Sequence, residues 1–271
     1  MSESNPSQID QDASPSDGSE AGALQIDHAI RLAYRRRSAS GAGKGRPGIV
    51  FLGGFKSDMT GSKATALDLF CYARGLAFLR FDYSGHGRSS GDFLDGTISR
   101  WTADALAAID RLTEGPLILV GSSMGGWIML LVALARPERV KALVGIAPAP
   151  DFTEALIWGS LSEPERARLM AEGKLAQPSE YSDEPYVITK ALIEDGRHHL
   201  LLDRPIAIDV PVHLLHGMAD RDVPYRMSLQ LADKLISSDV LVTLIKAGDH
   251  RLSRPEDLQR LCDTVAVLAG L

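Results

Sequence analysis

Cysteine is scarce in this chain: there are two, Cys71 and Cys262, far apart and without a Cys-x-x-Cys pair. That spacing gives neither a disulfide framework nor a thiolate metal site, and it fits two resting thiols in a reducing compartment. Basic charge is also in deficit, with 29 Lys and Arg against 35 Asp and Glu and a net charge of -6. A surface of that sign argues against nucleic acid or an anionic membrane as the main partner. No apolar run reaches the roughly 18 residues of a membrane span. Met1 to Glu20 contains no Lys or Arg and no apolar stretch. It therefore reads as neither a signal peptide nor a transit peptide. Residues 1–23 offer nothing to bury and are expected to form a disordered acidic tail, with the cytoplasm as the default location.

Cofactor and metal signatures are missing too. Gly41-Ala42-Gly43-Lys44-Gly45 lacks the Ser or Thr that follows the Lys of a phosphate-binding loop. Gly85-His86-Gly87-Arg88-Ser89-Ser90-Gly91 has Ser90 where a dinucleotide fingerprint needs its third Gly. His86 and Arg88 read better as braces of a turn. His198 and His199 are adjacent, so they face different ways on any regular element, and no third ligand is near in sequence. No cofactor and no metal are expected.

What is present is a regular alternation. Apolar strands are expected at 48–52, 77–82, 117–120, 140–147, 210–215 and 240–245, after a first edge strand at 24–38. Helices are expected at 64–74, 98–112, 124–135, 226–236 and 255–268. Apolar strands alternating with helices imply an α/β fold, with a mostly parallel sheet covered on both faces. Residues 24–150 and 205–271 would form its core. The stretch 151–204 breaks the alternation and reads as a small helical lid, with helical pieces from Pro164 to Glu172 and from Pro185 to Asp195.

In such sheets the site lies beyond the strand C-termini. The loops at 53–58, 82–91, 121–125, 216–224 and 247–251 all follow strands, so they converge on one edge. One of them is Gly121-Ser122-Ser123-Met124-Gly125, a Gly-x-Ser-x-Gly at a strand-to-helix junction. A serine hydroxyl attacks a carbonyl only when held out beside a base, and flanking glycines permit the tight turn that does this.

A Ser nucleophile in this chain order is followed by an acid and then a His. Of seven histidines, only His250 comes after the last candidate acid loop. The acid falls in His216-Gly217-Met218-Ala219-Asp220-Arg221-Asp222, where spacing favours Asp220 over Asp222; Asp151, after an earlier strand, is the third choice. The oxyanion donors would be the N–H of Met124 and the N–H of Phe55, with Gly53 and Gly54 letting the backbone approach the substrate. Gly54, Trp127 and Trp158 are candidate substrate contacts, although Trp127 also fits helix packing.

Together these residues resemble the α/β-hydrolase superfamily, over residues 48–252. Asp82-Tyr83-Ser84-Gly85-His86-Gly87-Arg88-Ser89 is similar to its Asp-Tyr-x-Gly-His-Gly-x-Ser turn. The run from His216 to Leu252, and Ile193-Glu194-Asp195, resemble a serine-hydrolase branch that contains palmitoyl-protein thioesterase and acyl-glucuronide esterase activities. The resemblance implies a Ser123, Asp220, His250 triad acting on carboxylic esters or thioesters of small or acylated substrates. Carbon–carbon bond hydrolysis, acyl transfer and ligand binding with little turnover use the same parts and stay open. Acyl chain, leaving group and oligomeric state are not legible.

Overall fold

A computed structural model describes residues 18–177 and 186–271. Its strands are β1 (Glu20–Gln25), β2 (Arg31–Arg37), β3 (Gly48–Leu52), β4 (Phe78–Phe81), β5 (Leu117–Ser122), β6 (Val140–Ile146), β7 (Lys174–Gln177), β8 (Tyr186–Thr189), β9 (Val212–Gly217) and β10 (Val240–Ile245). Its helices are α1 (Ser62–Arg74), α2 (Ile98–Leu112), α3 (Met124–Ala135), α4 (Glu163–Glu172), α5 (Lys190–Gly196), α6 (Arg226–Lys234) and α7 (Pro255–Leu268).

Eight strands form one sheet in the order β1-β2-β4-β3-β5-β6-β9-β10. β1 and β2 pair antiparallel, as do β2 and β4; the remaining pairs are parallel. The central strands are apolar on both faces because both faces are covered. Along β5, Leu117 and Leu119 point into a core built with α2, α3 and α6. Ile118 and Val120 point into a second core built with α1 and α7. β3 divides in the same way: Val50 and Leu52 face the first core, and Ile49 and Phe51 the second. This is the two-residue side-chain period of a strand sandwiched between helix layers. The edge strand β10 differs: Leu241 and Thr243 are exposed.

Two expectations at the chain's start need correction. The single strand at 24–38 is a hairpin, because the Asp27 carboxylate accepts from the amides of Ala29 and Ile30 and turns the chain. β1 begins at Glu20, so residues 20–23 are paired with β2 and not part of a tail; residues 1–17 lie outside the described residues.

The excursion between β6 and β9 holds more than helices. α4 falls where expected and starts with a capping box between Ser162 and Glu165. The helix expected from Pro185 begins only at Lys190; Pro185 itself lies outside the described residues. Tyr186-Val187-Ile188-Thr189 instead pairs antiparallel with β7, as aromatic and β-branched residues favour. The segment has a small core of Leu161, Leu169, Leu175, Ile188 and Ile193, and Phe55, Ile157 and Trp158 pack against it. Asp151 anchors its far end, accepting from the amides of Leu201 and Leu202.

Candidate active site

Ser123 sits between β5 and α3 with φ 54° and ψ -119°. A non-glycine residue there costs about 1–3 kcal/mol and persists only when its surroundings impose it. Here the imposition is visible. The Ser123 amide donates to Ile146 O at 3.0 Å, and the Ser123 carbonyl accepts from Gly126 at 2.8 Å and from Ala149 at 3.0 Å. The glycines matter because the turn leaves no room for a β-carbon. One added at Gly121 would lie 2.4 Å from Gly125 O, and one at Gly125 would lie 2.1 Å from Leu52 O.

The hydroxyl lies 3.1 Å from His250 Nε2, across a separation of 127 residues. His250 Nδ1 is 2.8 Å from Asp220 Oδ2. His250 follows β10, Asp220 follows β9 and Ser123 follows β5, so strand C-termini place all three. The Asp220 side chain is fully buried, whereas that of His250 is 18% exposed.

Asp220 has no unspent acceptor side. Oδ1 accepts from the amides of Asp222 at 2.9 Å and Val223 at 2.8 Å. Oδ2 faces His250 and lies 3.2 Å from His216 Nε2. Burial pushes this carboxyl up, but the bonds from His216, His250 and Val223 outweigh it and hold Asp220 well below the usual carboxylate range. Asp222 stays exposed at the rim. Asp151 is committed to the 201–202 amides and takes no part. Asp220, Asp222 and His250 do bring three ligand-type atoms within 4.8 Å of one another. With Asp220 Oδ1 and Oδ2 both facing N–H groups, that set suits hydrogen bonding better than a cation.

His216 is the residue that the sequence reading passed over, using it only to count the spacing to the acid. It is wholly buried, with Nδ1 2.7 Å from Ser228 Oγ and Nε2 2.9 Å from the Val223 carbonyl. It ties the acid loop to α6.

The loop after β3 reaches Ser123. A β-carbon on Gly54 would lie 3.4 Å from Ser123 Cβ. The loop is tight: Ser57 N and Oγ both donate to the Gly54 carbonyl, and Lys56 takes φ 55°. Among the described residues, neither the Phe55 nor the Met124 amide meets a protein acceptor. Met124 opens α3, whose N-terminal dipole favours negative charge. The Phe55 ring meets Phe93, Trp101, Phe152 and Tyr186, with centroids 4.9 to 6.1 Å away.

The two tryptophans are placed differently, and only Trp127 is closed off from a ligand. Trp127 is fully buried; its indole N–H donates to the His199 carbonyl, and its ring packs edge-on to Phe152. It is helix packing, with no surface left for a ligand. Trp158 is half-buried between the guanidinium groups of Arg166 and Arg197, 5.2 and 4.6 Å from its ring centroid. His199 lies 2.7 Å from Ser99 Oγ, an arrangement that fastens the excursion to α2 rather than holding a metal with His198.

A family model described as serine aminopeptidase, S33, matches residues 44–199. The mitochondrial palmitoyl-protein thioesterase ABHD10 of Mus musculus is 45% identical over 236 residues, 86% of this chain and 77% of that protein. Among solved structures, a putative hydrolase from Agrobacterium vitis S4 aligns with a TM-score of 0.88 at 45% identity, covering 93% of this chain and 99% of the other. Mouse α/β hydrolase domain-containing protein 10 aligns with a TM-score of 0.84 at 42% identity, covering 92% and 98%.

These findings overturn the cytoplasmic expectation. The mouse relative is mitochondrial by name, as are its rat, cattle and human counterparts. The expectation rested on the composition of the first residues alone. No helix among the described residues is long and apolar enough to cross a membrane. With this sheet, this elbow and these relatives, the chain belongs to the α/β-hydrolase family and is a hydrolase.

Proposed function

We propose that the protein hydrolyses carboxylic esters and thioesters through an acyl-enzyme on Ser123. The observation that carries this is the unbroken line Ser123 Oγ, His250 Nε2, His250 Nδ1, Asp220 Oδ2, with steps of 3.1 and 2.8 Å. His250 takes the Ser123 proton as Oγ attacks the acyl carbonyl. Asp220 fixes the imidazole tautomer and stabilises the imidazolium without itself taking a proton. The carbonyl oxygen, now an anion, settles against the N–H groups of Phe55 and Met124. Collapse expels the alcohol or thiol, protonated by His250. Water, deprotonated by His250, then attacks the acyl-enzyme and releases the acid.

The substrate reading is an acylated thiol with a long chain. Its support is the name of the relatives at 44–45% identity, palmitoyl-protein thioesterases. Residues 151–204 serve as the lid, and 20–150 with 205–271 as the catalytic core. The contact between Phe55 and the excursion's own core supports that division, since it sets the excursion against the oxyanion loop.

The test is steady-state hydrolysis of matched oxygen esters and thioesters of rising chain length, with Ser123→Ala as the control. Turnover that vanishes in the control and peaks with long thioesters supports the reading. A peak with short or aryl esters makes the protein a general carboxylesterase. No Ser123-dependent turnover on any member would sink it in favour of carbon–carbon hydrolysis, acyl transfer or ligand binding.

A further inference from the structure

His86 is 3% exposed and enclosed by the rings of Tyr83, Phe93 and Trp101, with centroids 5.1 to 5.6 Å away. It takes no part in the Ser123, His250, Asp220 line. Its two ring nitrogens nevertheless face different partners. Nδ1 lies 3.2 Å from the Ser84 carbonyl, which can only accept, so Nδ1 carries the proton. That leaves Nε2 with a lone pair, and the Lys56 amide donates to it at 3.3 Å. Burial pushes the His86 pKa down, which favours this neutral form.

Lys56 is the residue after Phe55, and peptide planarity makes the contact consequential. The Gly54 carbonyl and the Phe55 N–H share one plane and point in opposite directions. Ser57 holds the carbonyl end of that plane, with Oγ at 2.8 Å. His86 holds the next plane through its N–H. With that plane and the one after it both held, rotation that would swing the Phe55 N–H off target is opposed. The loop needs this restraint, because Lys56 sits at φ 55°, where a non-glycine residue does not rest unaided.

We propose that His86 is a positioning residue: its Nε2, accepting from the Lys56 amide, aims the Phe55 N–H at the oxyanion. The inference rests on the reading above that the Phe55 amide binds the developing charge. It differs from a role in filling space, since a phenyl ring would fill the same volume and accept nothing.

That difference sets the experiment. His86→Phe keeps an aromatic ring and loses both polar contacts. His86→Asn places its amide near the Nδ1 position, towards Ser84. His86→Gln places its carbonyl oxygen near the Nε2 position, towards Lys56. Each variant is checked for native circular dichroism and thermal unfolding, then assayed on the best substrate of the wild type beside Ser123→Ala. An oxyanion donor acts only on the transition state, so the loss falls on kcat and leaves KM nearly unchanged. His86→Phe and His86→Asn are expected to lose about 10- to 100-fold in kcat, the scale of a misaimed catalytic group. His86→Gln is expected to retain roughly ten times the kcat of either. Should His86→Phe fail to fold, the comparison of Gln with Asn carries the same test.

Wild-type kcat in His86→Phe overturns the proposal. So does an equal loss in Gln and Asn, or a loss carried by KM. A wild type without Ser123-dependent turnover fails at the earlier step and removes the inference along with the acyl-enzyme reading.

Discussion

His216 Nε2 stands 3.2 Å from Asp220 Oδ2 and 2.9 Å from the Val223 carbonyl. The buried carboxylate thus has two imidazoles within reach of one oxygen, at 3.2 and 2.8 Å. The His216 imidazole is fastened in turn by Ser228 Oγ at 2.7 Å. Asp220 is therefore fixed by contacts other than the one to His250: the amides of Asp222 and Val223 on Oδ1 and His216 beside Oδ2.

Removing the His216 contact should cost activity before it costs the fold. On the proposed mechanism His216→Asn is expected to lower kcat roughly 10-fold with KM nearly unchanged, because the Asp220 carboxylate gains freedom beside His250. It should also lower stability by about 1–3 kcal/mol, the cost of leaving buried polar partners unmatched. Steady-state kinetics and urea unfolding check the two effects separately.

Asp220 and Asp222 lie two residues apart and should behave very differently. Asp220→Asn puts an amide beside His250 Nδ1 and favours the wrong tautomer, so kcat should drop roughly ten-thousand-fold. Asp222→Asn keeps the backbone amide that serves Asp220 Oδ1 and should stay within about threefold of wild type, as exposed substitutions usually do. Equal losses in both would mean that the acid is wrongly assigned.

The depressed pKa of Asp220 gives a pH dependence of definite sign. A carboxyl whose folded pKa lies below its unfolded value stabilises the fold above the unfolded value, about 3.9 for Asp. That contribution is lost as pH falls through the folded value. The stability difference between wild type and Asp220→Asn should be flat from neutral pH down to about 5 and should shrink below about 4. Chemical unfolding across that range measures it; a difference already shrinking at pH 6 would contradict the hydrogen-bond account.

Gly125 tests the elbow mechanically. Its β-carbon would meet the Leu52 carbonyl at 2.1 Å, a backbone atom in a central strand that cannot step aside. Gly125→Ala should cost about 3 kcal/mol or more. For a chain of this size that is a fall in Tm of roughly 6–12 °C.

The alternation of the core was legible because β3, β5 and β6 are apolar on both faces and α2 carries its apolar residues on one side. β3, α2, α3, β10 and α7 run where periodicity puts them. The hairpin of β1 and β2 was not legible. Its turn depends on the Asp27 side chain capping two amides, without the Gly or Pro that marks a turn in sequence. β8 was hidden for another reason: four residues form a strand only where β7 lies beside them. Ser123, Asp220 and His250, which the structure brings within hydrogen-bond distance of one another, could be singled out because each follows a strand end. His216 could not, since its role arises from the fold of the 217–223 loop back over its ring. The His86 contact with Lys56 bridges 30 residues between two loops, a distance that no local pattern spans.

The central claim is a covalent acyl-enzyme on Ser123, and partitioning of that intermediate tests it most directly. Esters and thioesters that share one acyl group but differ in leaving group are hydrolysed in the presence of hydroxylamine, and the ratio of hydroxamate to free acid is measured. A common acyl-enzyme predicts the same ratio for every leaving group, with both products lost in Ser123→Ala. A ratio that changes with the leaving group, or products that persist in Ser123→Ala, would contradict it.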